Sequence, residues 1–129
     1  MKSAKTIPLG ASQHKTAGPY SPVLRVTCSE LIVISGQAAL NVDGTIVGET
    51  IEEQTKVTLV NCLKQLETAS CTMEDVFKVN VYLVDMDLWS RFNETYIKHI
   101  PNPYPVRTAI GAKLLPGLLV EIEMWAARP

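Results

Sequence analysis

Several of the usual marks of specialised function are missing from this chain of 129 residues. Its three cysteines, Cys28, Cys62 and Cys71, are odd in number and never fall in CxxC spacing. That argues against a disulfide framework and against a thiolate zinc site. Aromatic residues are only 6% of the chain and the formal net charge is −1, so neither a base-stacking platform nor a broad cationic field speaks for nucleic acid or an anionic membrane. His14 and His99 stand far apart without an Asp or Cys at ligand spacing, so no metal site and no Ser-His-Asp triad is expected. No GxGxxG and no Walker A run is present, which removes the common nucleotide cofactors; no cofactor is expected. The longest apolar runs, such as Leu31 to Ile34, are far too short to span a bilayer. Lys2 and Lys5 precede no apolar stretch of leader type. The cytoplasm is the expected location, with a mitochondrial address left open.

What is present reads as a single domain over residues 1–129. Apolar residues make up 47% and charged residues 19%, enough for a core and far from the composition of disorder. Leu31 to Ser35 is a β-branched run that predicts a buried strand, with Val23 to Val26 as its hairpin partner and the turn at Ser29-Glu30. Thr50-Ile51-Glu52-Glu53 has the form of a capping box, so a helix starts here. Val60, Leu63 and Leu66, with Leu59, Cys62 and Ala69, give it one apolar face. Phe77, Val79, Val81 and Leu83 alternate with Lys78, Asn80 and Tyr82, the period of a strand with unlike faces. Then Leu88, Trp89, Phe92, Tyr96 and Ile100 follow helical spacing, with Asp87 as N-cap and Pro101 as stop. Val106 to Ala112 and Leu119 to Ala127 read as two strands around the turn Leu115-Pro116-Gly117. The order β-β-(β)-α-β-α-β-β predicts an α/β fold: one mixed sheet, two helices on one face, and an opposite face left for another copy of the chain.

Arg107 follows Pro103 and Pro105 into a strand that otherwise looks built for burial. Glu121 and Glu123 share one face of the last strand, because side chains alternate with period two. Across a hairpin, Arg107 is the nearest cation in sequence to pair with them. A salt bridge and a substrate clamp both fit that pattern. The prolines, by fixing the backbone ahead of a planar guanidinium, favour a clamp that takes a carboxylate through two parallel hydrogen bonds. Ser35-Gly36-Gln37 closes a buried strand where a glycine would let a ligand reach the backbone, and Gly18-Pro19-Tyr20-Ser21 marks a loop.

Taken in order, GPYS (18 to 21), SGQ (35 to 37), EEQT (52 to 55), DVFKVNVYLVDM (75 to 86), FNETY (92 to 96), PVRT (105 to 108) and LPGLLVEIE (115 to 123) resemble the RidA/YjgF family, also labelled L-PSP endoribonucleases. The likeness runs from about Gly18 to Ala127. It implies a chorismate-mutase-like fold, a homotrimer with ligand clefts between subunits, and hydrolysis of reactive enamines and imines such as 2-aminoacrylate and 2-iminobutanoate, products of serine and threonine dehydration, to 2-keto acids and ammonia. By position it implies Arg107 as carboxylate clamp, Tyr20 as cleft tyrosine, Glu121 as acid, and Ser35, Gly36 and Asn93 as substrate contacts. Ala109 stands in the pocket edge where some relatives carry a thiol. The partners implied are a small 2-imino acid and two further copies of the chain, with no membrane and no nucleic acid. The alternatives are an L-PSP-type ribonuclease that inhibits translation by acting on single-stranded RNA, or a trimer that binds small carboxylates without turnover.

Overall fold

The structure, a computed structural model, describes residues 4–129. Its elements are β1 (Lys5–Thr6), β2 (Arg25–Val26), β3 (Glu30–Gln37), α1 (Ile51–Thr68), β4 (Val76–Leu83), α2 (Trp89–Tyr96), β5 (Val106–Gly111) and β6 (Val120–Arg128), with short 3-10 turns at Met73–Asp75 and Met86–Leu88. β3, β6, β4 and β5 form the main sheet in that order, and β1 with β2 makes a separate two-stranded ribbon. The main sheet is mixed: β4 runs parallel to β5 and antiparallel to β6.

Two expected pairings are replaced. Arg25–Val26 pairs with Lys5–Thr6 instead of forming a hairpin with β3, whose partner is β6, with Val33 opposite Trp125. β5 and β6 are consecutive in the chain, yet β4 lies between them, so the turn at Leu115-Pro116-Gly117 does not close a hairpin. The turn itself forms: Leu118 N donates to Leu115 O at 3.1 Å and Gly117 takes φ +89°, which only glycine adopts at little cost. Hairpins are the cheapest way to pair neighbouring strands; here burial of the helix-side faces of β6 and β4 at the centre of the sheet outweighs that local economy.

The helices cover one sheet face. Thr50 caps α1, its hydroxyl accepting from Glu53 N at 3.1 Å and donating to the Glu53 carboxylate at 3.0 Å. The return bond expected of a capping box is therefore made to the side chain. The buried side of α1 is Ile51, Thr55, Thr58, Leu59, Cys62 and Leu66, a stripe rotated from the one expected, with Val60 38% exposed. Cys62 is sealed under the sheet and burial pushes its thiol up to about 12; Cys71 is buried and Cys28 exposed. Before α2, Asp85 caps the turn by accepting from Asp87 N at 2.9 Å, the role expected of Asp87. A bulge between Val76 and Lys78 gives Val76 the buried position and leaves Phe77 partly exposed; Val79, Val81 and Leu83 are buried as the alternation predicts. Arg91 reaches from α2 to Glu52 of α1 with both its Nε and Nη2, at 2.8 and 2.7 Å.

The other face carries Leu31, Val33, Lys78, Asn80, Tyr82, Glu121, Glu123 and Trp125, as the register dictates. Leu31 and Val33 are exposed there, and no element among the described residues packs over them. This is the uncovered face that the order of elements predicts.

Candidate functional site

Arg107 sits on β5 opposite Val79 of β4, and Val79 in turn lies opposite Met124 of β6. Its side chain therefore points to the helix side of the sheet, away from Glu121 and Glu123. The expected pairing of Arg107 with these acids across a hairpin does not occur. It fails twice over: β4 intervenes, and parity turns the groups to opposite faces.

Instead the guanidinium is buried, 8% exposed, among aromatic rings. Its Cζ lies 4.8 Å from the ring centre of Tyr96, 5.1 Å from Tyr20 and 5.6 Å from Phe92. Arg107 Nε, Nη1 and Nη2 have no hydrogen-bond partner, and among the described residues no carboxylate lies within ion-pair distance of them. Burial pulls the guanidinium pKa down, opposed by the nearby Tyr96 and Tyr20 hydroxyls. A buried charge without a counter-ion is costly.

The segment ahead of Arg107 is stitched to the Gly18–Ser21 loop. Ser21 N donates to Pro105 O at 3.1 Å, the Ser21 hydroxyl donates to Tyr104 O, and Ser21 bridges to Val106. These bonds hold the Tyr20 ring over the guanidinium. Gly18 sits in a close approach: a Cβ there would stand 3.1 Å from Arg107 Nη2 and 3.0 Å from Trp89 Cζ2, so these side chains would have to give by a few tenths of an ångström. Two cavities flank this cluster. One of about 480 Å³ is lined by Tyr20, Lys78, Arg107 and Thr108. The other, about 470 Å³, is lined by Gly18, Trp89, Asn93 and Tyr104. Asn93 Oδ1 is buried there without a partner. Ala109 faces Val81 and packs against the core beside Arg107.

Ser35, Gly36 and Glu121 gather elsewhere. Between Ile34 and Gln37 the register of β3 slips against β6, so Ser35 and Gly36 form a bulge whose backbone leaves the ladder, an arrangement that recurs beside active sites. Glu121 lies against Gly36: a Cβ on Gly36 would stand 2.5 Å from Glu121 Oε2. Both line a cavity of about 810 Å³ that runs along α1 past Val57, Val60 and Lys64. The structure also separates the two acids that parity left equivalent. Glu123 accepts from Tyr82 Oη at 2.7 Å and Asn80 Nδ2 at 3.0 Å, whereas Glu121 has no such tie among the described residues.

The expected residues thus fall into two clusters, Tyr20, Asn93, Arg107 and Ala109 in one, Ser35, Gly36 and Glu121 in the other. β3 and β5 are opposite edges of the sheet, about 14 Å apart at ordinary strand spacing. One copy of the chain does not bring them to a common ligand. Phe92 and Tyr96 were legible only as part of a helix stripe; the signal that could have marked them is their i, i+4 spacing beside a buried arginine.

The endoribonuclease L-PSP family matches residues 10–128. The chain belongs to that family. The mitochondrial protein mmf2 of Schizosaccharomyces pombe is 38% identical over 94% of this chain and 97% of its own length. A RutC family protein of Pyrococcus abyssi is 34% identical over 95% and 97%. Among solved structures, yeast Mmf1 superposes with a TM-score of 0.73 at 27% identity, covering 88% of this chain and 90% of that one. A YjgF family member from Neisseria meningitidis gives 0.70 at 27%, covering 88% and 91%. The RidA/YjgF resemblance and its mixed-sheet α/β fold hold.

Proposed function

We propose that this L-PSP family protein is a cofactor-independent hydrolase of 2-imino acids, working as a homotrimer in which the Arg107 cluster of one copy meets the Glu121 cluster of the next. The observation that carries the reading is the buried guanidinium of Arg107 with all its donors free, which suits a substrate carboxylate. The uncovered sheet face and the wide separation of the two clusters support assembly. The substrate class is the small imines formed when serine or threonine loses water.

The geometry does most of the work by placement. Arg107 takes the carboxylate through two parallel hydrogen bonds, Tyr20 and Asn93 border it, and Ala109 shapes the edge. The Ser35-Gly36 bulge offers backbone groups to the polar atoms around the imine carbon. Glu121 accepts a proton from water as the oxygen bonds to that carbon, and the proton passes to the nitrogen to give a carbinolamine; the new hydroxyl then yields its proton, by way of Glu121, to the nitrogen as the C–N bond breaks, forming the keto group and releasing ammonia. Water and the 2-imino acid thus become a 2-keto acid and ammonia, with no redox step. Such imines also hydrolyse unaided, so the barrier reduction asked of positioning is modest.

The ribonuclease suggested by the family name needs cations that track a phosphate backbone, whereas the cation central to this site is a single guanidinium enclosed by rings. As to location, several relatives carry the word mitochondrial in their names; cytoplasm and mitochondrion both suit free thiols. No helix among the described residues is long and apolar enough to cross a membrane. The test couples a threonine dehydratase to the protein and follows 2-keto acid release while semicarbazide competes for the imine. Wild type is expected to accelerate release and Arg107→Ala to abolish the acceleration. No difference between wild type and a no-protein control would refute hydrolysis and leave carboxylate binding or RNA cleavage to be assayed.

A further inference from the structure

A buried arginine ordinarily has its charge met by a carboxylate, which also occupies its N–H groups. Arg107 is stabilised differently. Aromatic faces attract a cation through the ring quadrupole, and they approach the flat face of a guanidinium, whereas hydrogen bonds are made at its edge. Rings therefore offset the burial cost without consuming a donor. Two of the three rings, Phe92 and Tyr96, stand one helical turn apart on α2 with centroids 5.4 Å apart. Both are 0% exposed, so they reach the cation from the protein interior and cannot touch a ligand in the cleft. The third, Tyr20, is only partly buried and belongs to the cleft. Among the described residues no carboxylate or histidine faces the guanidinium. The tyrosine hydroxyls of Tyr20 and Tyr96 do; the Tyr96 hydroxyl is buried and close enough to favour the charged guanidinium, although the pair does not reach hydrogen-bond geometry.

From this geometry we infer that Phe92 and Tyr96 are positioning residues, an interior aromatic clamp that fixes the plane of Arg107 and keeps its hydrogen-bonding edge open for a carboxylate. The inference rests on the reading of Arg107 as an anion site. It goes further by assigning the anion's affinity to two residues that the ligand never meets, and by giving the ring faces, not the Tyr96 hydroxyl, the decisive part.

The experiment measures binding of 2-oxobutanoate and of its uncharged amide to wild type, Phe92→Leu, Tyr96→Leu and Tyr96→Phe. It also records the Arg107 Nε–H signal in a proton–nitrogen NMR spectrum of each ligand-free protein. Loss of a ring face is expected to weaken the carboxylate roughly 3- to 30-fold while the amide is unchanged. Tyr96→Phe, which keeps the ring, should keep the affinity. In wild type the Nε–H signal should be shifted by the ring currents and rotate slowly; in the Leu variants it should move toward that of a free arginine. Equal weakening of carboxylate and amide, or no weakening of either, overturns the clamp. So does an ordinary, freely rotating Arg107 signal in wild type, a result that needs no variant to fold. If wild type binds no keto acid but its Arg107 signal is clamped, the clamp stands and the imine reading falls.

Discussion

Replacing Gly36 by alanine separates catalysis from stability at one carbon atom. The added Cβ would stand 2.5 Å from Glu121 Oε2, 3.1 Å from Cδ and 3.3 Å from Cγ, where ordinary contact begins near 3.4 Å. The carboxylate must retreat by about 0.9 Å or swing aside; it is the free end of a flexible side chain, so it can. Gly36 does not have a positive φ, and alanine there also restricts the unfolded chain, a gain of about 0.4–1 kcal/mol that offsets the crowding. The melting temperature should therefore stay within about 4 °C of wild type. Turnover should not survive as well, because misplacing a catalytic group by about 1 Å can cost on the order of 10²-fold in rate. The coupled dehydratase assay gives kcat and thermal unfolding gives the stability. Full activity in Gly36→Ala would refute the role assigned to the position of Glu121. A collapse in melting temperature would refute the claim that the side chain yields.

Four further outcomes follow from other parts of the structure. Arg107→Met removes a buried charge that has no counter-ion, so the folded state should be unchanged or more stable by up to about 1 kcal/mol in denaturant titration, while keto acids no longer raise the melting temperature. Glu123→Gln should leave turnover within about three-fold of wild type, against a loss of at least about 10²-fold for Glu121→Gln; equal effects would show that the tied and untied acids share a role. The Tyr82 hydroxyl and then the Asn80 amide hold the Glu123 carboxyl below its usual range, so its contribution is complete above about pH 4.3 and fades as pH falls through the lower folded value; Glu123→Gln should flatten that acid limb. Burial lowers the Lys5 ammonium to about 8 from 10.5, so the unfolded chain holds more protons between those values and stability should rise with pH across that window. Lys5→Met should remove the rise, measured as the wild-type minus variant difference in denaturation midpoint.

Local signals carried the elements of this fold well. Thr50 caps α1, Val79, Val81 and Leu83 alternate as a buried strand face, and Gly117 turns the chain, because each depends on residues within a few positions. Partner choice was not legible. β3 pairs with β6, some ninety residues later, and β4 inserts between β5 and β6, outcomes decided by which faces can be buried together. The error carried into the site: a hairpin would have set Arg107 beside Glu121, and the true strand order sets them on opposite faces. Whether Glu121 or Glu123 is the free acid was likewise beyond parity, since Asn80 and Tyr82 reach Glu123 only through the β4–β6 register.

Strand order has a consequence for inheritance. With the arginine half of the site on the β5 edge and the carboxylate half on β6 beside the β3 edge, a lesion in either half spoils a different part of each copy. On the proposed assembly, two inactive proteins, one altered at Arg107 and one at Glu121, would form mixed trimers in which roughly one cleft in four receives both halves intact. Two recessive alleles of one gene could then rescue each other within the same cell, whereas two lesions in the same half could not.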